Sequence, residues 1–178
     1  KRVKWAEGGE DDVSAGGAYT HMTILAENNV GLSNLFRLSS LASLEGFYYK
    51  PRIDQELLSK YSQGLIATTG CPGGEIQTRI RMGAYNDARA AAAAYRDIFG
   101  AENYFVEIMD HGIEIEKRVK DDLLKLAKEL GLPLLATNDL HYTYRDDAKH
   151  HAALLCINSG STLSDPKRFK FDNDEFYF

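Results

Sequence analysis

The stretch Glu114-Ile-Glu-Lys-Arg-Val-Lys-Asp-Asp-Leu-Leu-Lys-Leu-Ala-Lys-Glu-Leu130, closed by Gly131 and followed by Leu132-Pro-Leu-Leu-Ala-Thr137, decides the fold class. Ile115, Val119, Leu123, Leu126, Ala127 and Leu130 recur at helical spacing among charged residues, which predicts an amphipathic helix over 114–130. Gly131 marks its end. The short apolar run behind it predicts a strand over 132–137. A helix delivering the chain into an apolar strand is the repeating unit of an α/β fold.

The same alternation extends in both directions. Upstream, Tyr104 to Met109 and the β-branched Leu65 to Thr69 predict strands, and Tyr19 to Ala26 alternates as a half-buried strand does. Between them, helices are expected over 32–44, from a cap at Asp54 through Tyr61, and at about 75–82 and 87–99, the last carrying the alanine run Ala90 to Ala94. A final helix is expected over 146–159. The Gly-rich first seventeen residues and Tyr48-Tyr-Lys-Pro-Arg52 are expected to be loops, because Pro51 biases Lys50 away from helix. The alternation implies parallel strands joined by right-handed crossovers. Four strands fall short of the roughly eight that close a barrel, so an open sheet and a partial barrel both remain.

Composition narrows the class. The 178 residues predict one domain by length, with 26 acidic and 21 basic residues, a formal charge of −5, and 44% hydrophobic residues. No apolar run approaches the roughly 20 residues of a membrane helix. Two cysteines make no secreted disulfide framework and point to a reduced, cytoplasmic setting. The chain has no signal peptide and no initiating Met, and both ends read as cut. The acidic balance argues against a general nucleic-acid coat but leaves room for a local contact. No Walker-type phosphate loop and no nucleophile elbow is present.

In parallel α/β folds function gathers where strands end. Asp139-Leu-His141 follows the 132–137 strand; if extended, it projects a carboxylate and an imidazole to one side, a pair suited to a divalent metal or to a hydrogen-bonded loop. Cys71 lies in the Gly-rich turn after Thr69, as a buried inert thiol or a thiolate ligand. His21 reads as a core histidine unless Cys71 and Asp139 share its pocket. His111 reads as a helix-entry residue. His151, four residues after Asp147, reads as half of an exposed pair with it, and Cys156 as core. Basic residues cluster at Lys50 and Arg52, at Arg79 and Arg81, and at Lys167, Arg168 and Lys170. The first cluster adjoins Phe47, Tyr48 and Tyr49 and is the best nucleic-acid candidate, because aromatics stack bases.

Five segments occur together in order: Glu45-Gly-Phe-Tyr-Tyr-Lys-Pro-Arg-Ile-Asp54, Thr69-Gly-Cys-Pro-Gly-Gly-Glu75, Ala136-Thr-Asn-Asp-Leu-His-Tyr142, Leu163-Ser-Asp-Pro-Lys-Arg-Phe169 and Asp174-Glu-Phe-Tyr177. From Tyr19 to Phe178 the chain resembles the polymerase-and-histidinol-phosphatase (PHP) domain of the bacterial replicative polymerases, the DNA polymerase III alpha family. The resemblance implies an irregular (β/α)7-type, TIM-like barrel, here incomplete, with a metal cluster at the strand ends. It implies His21, Cys71, Asp139 and His141 as metal ligands; Cys with His is compatible with zinc, and the carboxylate also admits manganese or iron. It places the family's opening His-x-His, the following Asp and His, and a Glu upstream of residue 1. The chain is then the later part of a PHP domain, with about 160–178 leading toward the polymerase palm, where magnesium serves synthesis.

By the same resemblance the parent is expected to synthesise DNA on a primer-template in the cytoplasm, with replisome subunits such as a sliding clamp and a separate exonuclease subunit as partners. Its PHP site is expected to be a 3′–5′ proofreading exonuclease. The competing expectation is a non-catalytic scaffold that docks the exonuclease subunit, and a weaker third is a stand-alone phosphatase. Lys50 and Arg52 are the candidate DNA contacts.

Overall fold

A computed structural model describes residues 19–48 and 50–178. The loop expected over the first seventeen residues, and Tyr49, lie outside the described residues. The elements are β1 (Ile24–Ala26), α1 (Asn29–Leu44), α2 (Gln55–Lys60), β2 (Leu65–Thr68), α3 (Glu75–Arg81), α4 (Tyr85–Phe99), β3 (Tyr104–Ile108), α5 (Glu114–Leu130), β4 (Leu134–Ala136), a 3-10 turn (Arg145–Asp147) and α6 (Ala148–Ser159). The helix read from the 114–130 stripe forms with those bounds. Asp54 caps α2 as expected, its Oδ1 accepting the Leu57 N–H at 2.9 Å. α1 starts earlier than its apolar stripe because Asn28 caps it, accepting the Gly31 N–H at 3.0 Å.

The four strands form one sheet in the order β1-β2-β3-β4. β2 and β3 are parallel, with Ala67 opposite Tyr104. β1 and β2 are antiparallel, with Leu25 opposite Ile66, which corrects the expectation of parallel strands throughout. The cause lies where α1 begins. The Glu27 N–H donates to the Gly64 carbonyl at 2.9 Å, and a Cβ on Gly31 would stand 1.7 Å from that oxygen. This close approach pins the start of β2 beside the end of β1, so the two strands must run in opposite senses. Only a glycine at 31 permits it.

β1 is also shorter than the alternation suggested. His21 lies outside it, in an isolated bridge to Gly74. β4 spans only Leu134–Ala136, shorter than the strand expected over 132–137, and Leu134 is 53% exposed because this strand ends the sheet.

The chain divides into two units, one holding the described residues up to Ile108 together with Arg118–Leu135, the other Met109–Lys117 with Ala136–Phe178. In the first, Leu65, Ala67, Tyr104 and Val106 of the sheet pack in one cluster with Ile76, Ala88, Ala92, Phe99, Leu123 and Leu126. Ala88 and Ala92 are fully buried, so the alanine-rich face of α4 is the one turned to the core. Each buried Leu, Ile or Val side chain contributes roughly 1.5–3 kcal/mol. In the second unit Cys156 is buried on α6, as read from its neighbours. Among the described residues no helix is long and apolar enough to cross a membrane.

Candidate functional site

In the first unit, Thr68 at the end of β2 and Thr69 just after it anchor the turn behind the strand. Thr68 Oγ1 donates to Glu107 Oε2 at 2.5 Å and accepts the Gly70 N–H at 3.1 Å. Thr69 Oγ1 accepts the Glu107 N–H at 2.9 Å. Gln77, buried on α3, donates from Nε2 to the Gly70 carbonyl at 2.5 Å. Arg81 donates to the Pro72 carbonyl at 2.8 Å, and the Gly74 N–H closes the turn onto the Cys71 carbonyl at 2.7 Å. Thr68, Thr69, Gln77 and Glu107 are all buried polar residues. A network of this kind is stabilising only when its members are paired, and it holds the backbone around Cys71 in one place.

His21 meets this turn directly. Its N–H donates to the Gly73 carbonyl at 3.0 Å, and its Nδ1 stands 3.7 Å from Cys71 Sγ. Two ligands of one tetrahedral zinc, with zinc–sulfur about 2.3 Å and zinc–nitrogen about 2.0 Å, lie about 3.5 Å apart. The observed separation fits such a shared edge. Gly73 makes room for it, since a Cβ there would come within 3.1 Å of His21 Nδ1.

In the second unit, Asp139 and His141 come together through the backbone. The 137–141 segment is not extended: Asp139 has φ 41, in the left-handed region. This corrects the strand-alternation argument for the pair. Asp is among the few non-glycine residues that visit that region, at a cost of order 1–3 kcal/mol, and such strain concentrates at functional sites. His141 Nδ1 donates to the Asp139 carbonyl at 2.6 Å, and its N–H donates to the Phe176 carbonyl at 2.9 Å. Phe171 meets the ring edge-on at 4.7 Å between centroids. With Nδ1 holding the proton, Nε2 keeps its lone pair, the arrangement metal-bound histidines use.

His111 enters α5 as expected. Its N–H donates to Glu116 Oε2 at 2.7 Å, its Nδ1 reaches Glu116 Oε1 at 2.5 Å, and its Nε2 donates to the Asn138 carbonyl at 2.8 Å. Burial alone would lower its pKa; the Asn138 carbonyl and Glu116 outweigh burial and raise it above the usual histidine value. Asn138 in turn donates to the carbonyls of Glu175 and Tyr177, so the segment bearing Asp139 is tied to the C-terminal strand-like segment.

The expected pairing of Asp147 with His151 is not formed. His150 takes Asp147 at 3.3 Å, and His151 packs against Phe171 and the rings of His141 and Tyr142. Its neighbours lower its pKa, burial first and His141 second.

Arg79 is half-buried and held by Glu75, whereas Arg81 is exposed and donates to the turn and to Thr78. Arg52 lies over the Tyr48 ring and Lys50 over the Tyr19 ring, each 5.4 Å from the centroid. Glu107 and Gln77 went unnoticed in the sequence. A carboxylate inside the apolar run Tyr104-Phe-Val-Glu-Ile108 was the available signal for the first, and nothing local marks the second. Among the described residues no three His, Cys, Asp or Glu side chains are grouped to hold a metal ion.

Residues 2–111 match the family described as "PHP domain". The chain is similar to DNA polymerase III subunit alpha of Saccharopolyspora erythraea, with 60% identity over 98% of this chain and 14% of that protein. It is similar to the protein of the same name from Mycobacterium leprae, with 54% identity over 99% of the chain and 15% of the relative. The Thermus aquaticus protein of that name is 47% identical over 90% of the chain and 13% of its own length. The chain thus spans about a seventh of the length of the relatives it matches.

Proposed function

The chain belongs to the PHP domain family, and from that premise we propose that it is the PHP portion of a replicative DNA polymerase, contributing to a divalent-metal 3′–5′ exonuclease activity. The observation that carries this reading is the 3.7 Å approach of His21 Nδ1 to Cys71 Sγ on a braced turn. Cys71 would bind as thiolate and His21 through the Nδ1 lone pair, and binding would release the thiol proton. Asp139 and His141 offer one carboxylate and one imidazole, the latter oriented by its Nδ1–H bond to the Asp139 carbonyl.

Thiolate with imidazole suits zinc, and carboxylate with imidazole also admits manganese or iron. A bound divalent metal lowers the pKa of its water to about 7 and neutralises charge on phosphate oxygens. The side chains named here hold and orient; none is assigned as nucleophile. On this reading the sheet is part of an irregular TIM-like barrel, residues 160–178 lead toward the polymerase palm with its magnesium, and Lys50 and Arg52 touch DNA. The setting is cytoplasmic, and the partners are primer-template DNA, a sliding clamp and a proofreading subunit.

A second reading, a non-catalytic scaffold that docks an exonuclease subunit, is supported by the Thr68, Glu107 and Gln77 bracing, which fixes the Cys71 turn through side-chain hydrogen bonds. One assay separates them. The native polypeptide carrying Asp139→Asn should lose metal-dependent degradation of a primer from its 3′ end. Unchanged degradation removes this site from the mechanism.

A further inference from the structure

From the contacts around His21 we infer that Tyr19, Tyr48, Lys50 and Arg52 form a platform for single-stranded nucleic acid leading to the His21–Cys71 pair; the inference rests on the metal reading for its purpose, though not for its geometry. The contacts form an unbroken line within one unit. Lys50 Nζ lies 5.4 Å from the Tyr19 ring centroid, the Tyr19 and His21 rings stack at 5.8 Å and 24°, and His21 Nδ1 is 3.7 Å from Cys71 Sγ. At the far end the Arg52 guanidinium lies 5.4 Å over Tyr48. The Tyr48 N–H donates to the Lys50 carbonyl at 3.1 Å, which fixes the spacing of ring and cation on this loop.

The line is open to solvent. Phe47 is 58% and Tyr48 42% exposed, Lys50 and His21 are exposed, and Tyr19 and Arg52 are half-buried. Asp54, the next acid along the loop, is occupied in capping α2. In a chain of net charge −5, two cations seated on aromatic faces beside an imidazole–thiol pair are a local exception. Single strands are bound by this combination, with bases stacking on rings and cations tracking phosphates, without sequence preference. A duplex hides its base faces and would gain only the cations. Tyr19 therefore has a role the strand pattern concealed: its ring bridges the basic loop and the histidine.

The test uses the native polypeptide and an oligothymidylate with 5-iodouracil at its 3′ end, irradiated in the presence of EDTA and mapped by mass spectrometry. The crosslink should fall on Tyr19 or Tyr48. Lys50→Ala with Arg52→Ala should lower crosslinking about tenfold and reduce the log–log salt slope by about 1.4, the loss of two single-strand phosphate contacts. Tyr19→Leu should lower crosslinking about tenfold and Tyr19→Phe should restore it, because seating Lys50 and stacking on His21 need the ring and not the hydroxyl. Absence of a crosslink in residues 19–52, or a salt slope unchanged in the double variant, overturns the platform. The metal reading fails on a different readout, retention of metal by Cys71→Ser, which leaves crosslinking in EDTA as expected here.

Discussion

Two adjacent glycines should separate folding from ligand placement. A Cβ at Gly73 would stand 3.1 Å from His21 Nδ1, about 0.3 Å inside the 3.4 Å at which ordinary contact begins. Gly73 has no left-handed φ, so Gly73→Ala meets no backbone penalty there and gains about 0.4–1 kcal/mol by restricting the unfolded chain. His21 is exposed, and its ring can swing by that amount at small cost. Stability should change by less than about 1 kcal/mol.

The metal is less tolerant. Ligand distances hold to within about 0.2 Å, so the displaced nitrogen should lower zinc affinity roughly 10–100-fold, as loss of an orienting contact does. Gly74→Ala differs because its Cβ would meet the Thr69 carbonyl at 2.3 Å and the Cys71 carbonyl at 3.1 Å. Backbone cannot yield as a side chain does, and the fold should lose about 1–3 kcal/mol or more. Chelator-competition titration with zinc, beside thermal unfolding of the same samples, reads both quantities. Wild-type zinc affinity in Gly73→Ala, or equal destabilisation by the two variants, would refute the placement of His21 over this turn.

Two further outcomes follow from the packing. Leu126→Ala should cost about 2–5 kcal/mol in denaturant unfolding, because Leu126 is fully buried on the core face of α5 and its removal leaves a cavity. His111 has a folded pKa above the unfolded value of about 6.5, so its contribution is complete below that pH and is lost as pH rises through the raised value. Amide exchange at 109–117 should quicken over that rise beyond the intrinsic base-catalysed rate, and His111→Gln should remove the excess.

Much of this molecule is written locally. The α5 stripe, the Asp54 cap and the Thr69-to-Glu75 turn depend on neighbours in sequence and form as read. The antiparallel β1–β2 pairing was hidden because it depends on Gly31 meeting Gly64 across 33 positions, a contact no periodicity reports. The alternation argument for Asp139 and His141 does not hold: the two are joined by a left-handed turn and a ring-to-carbonyl bond, not by strand alternation. His151 was misread because Asp147 stands three residues from His150 and four from His151, and the aromatic cluster that claims His151 comes from residues 141–142 and 171. Glu107 and Gln77 act on the Cys71 turn from other elements, so their purpose becomes visible only when β2, β3 and α3 are placed together.

The claim that His21 and Cys71 share a metal is tested most directly by loading the native polypeptide with cobalt(II) and recording its near-ultraviolet spectrum. A sulfur-to-cobalt charge-transfer band should be present, and Cys71→Ser should abolish it while His21→Ala weakens or removes it. A spectrum without that band, or one that survives Cys71→Ser unchanged, would contradict the account.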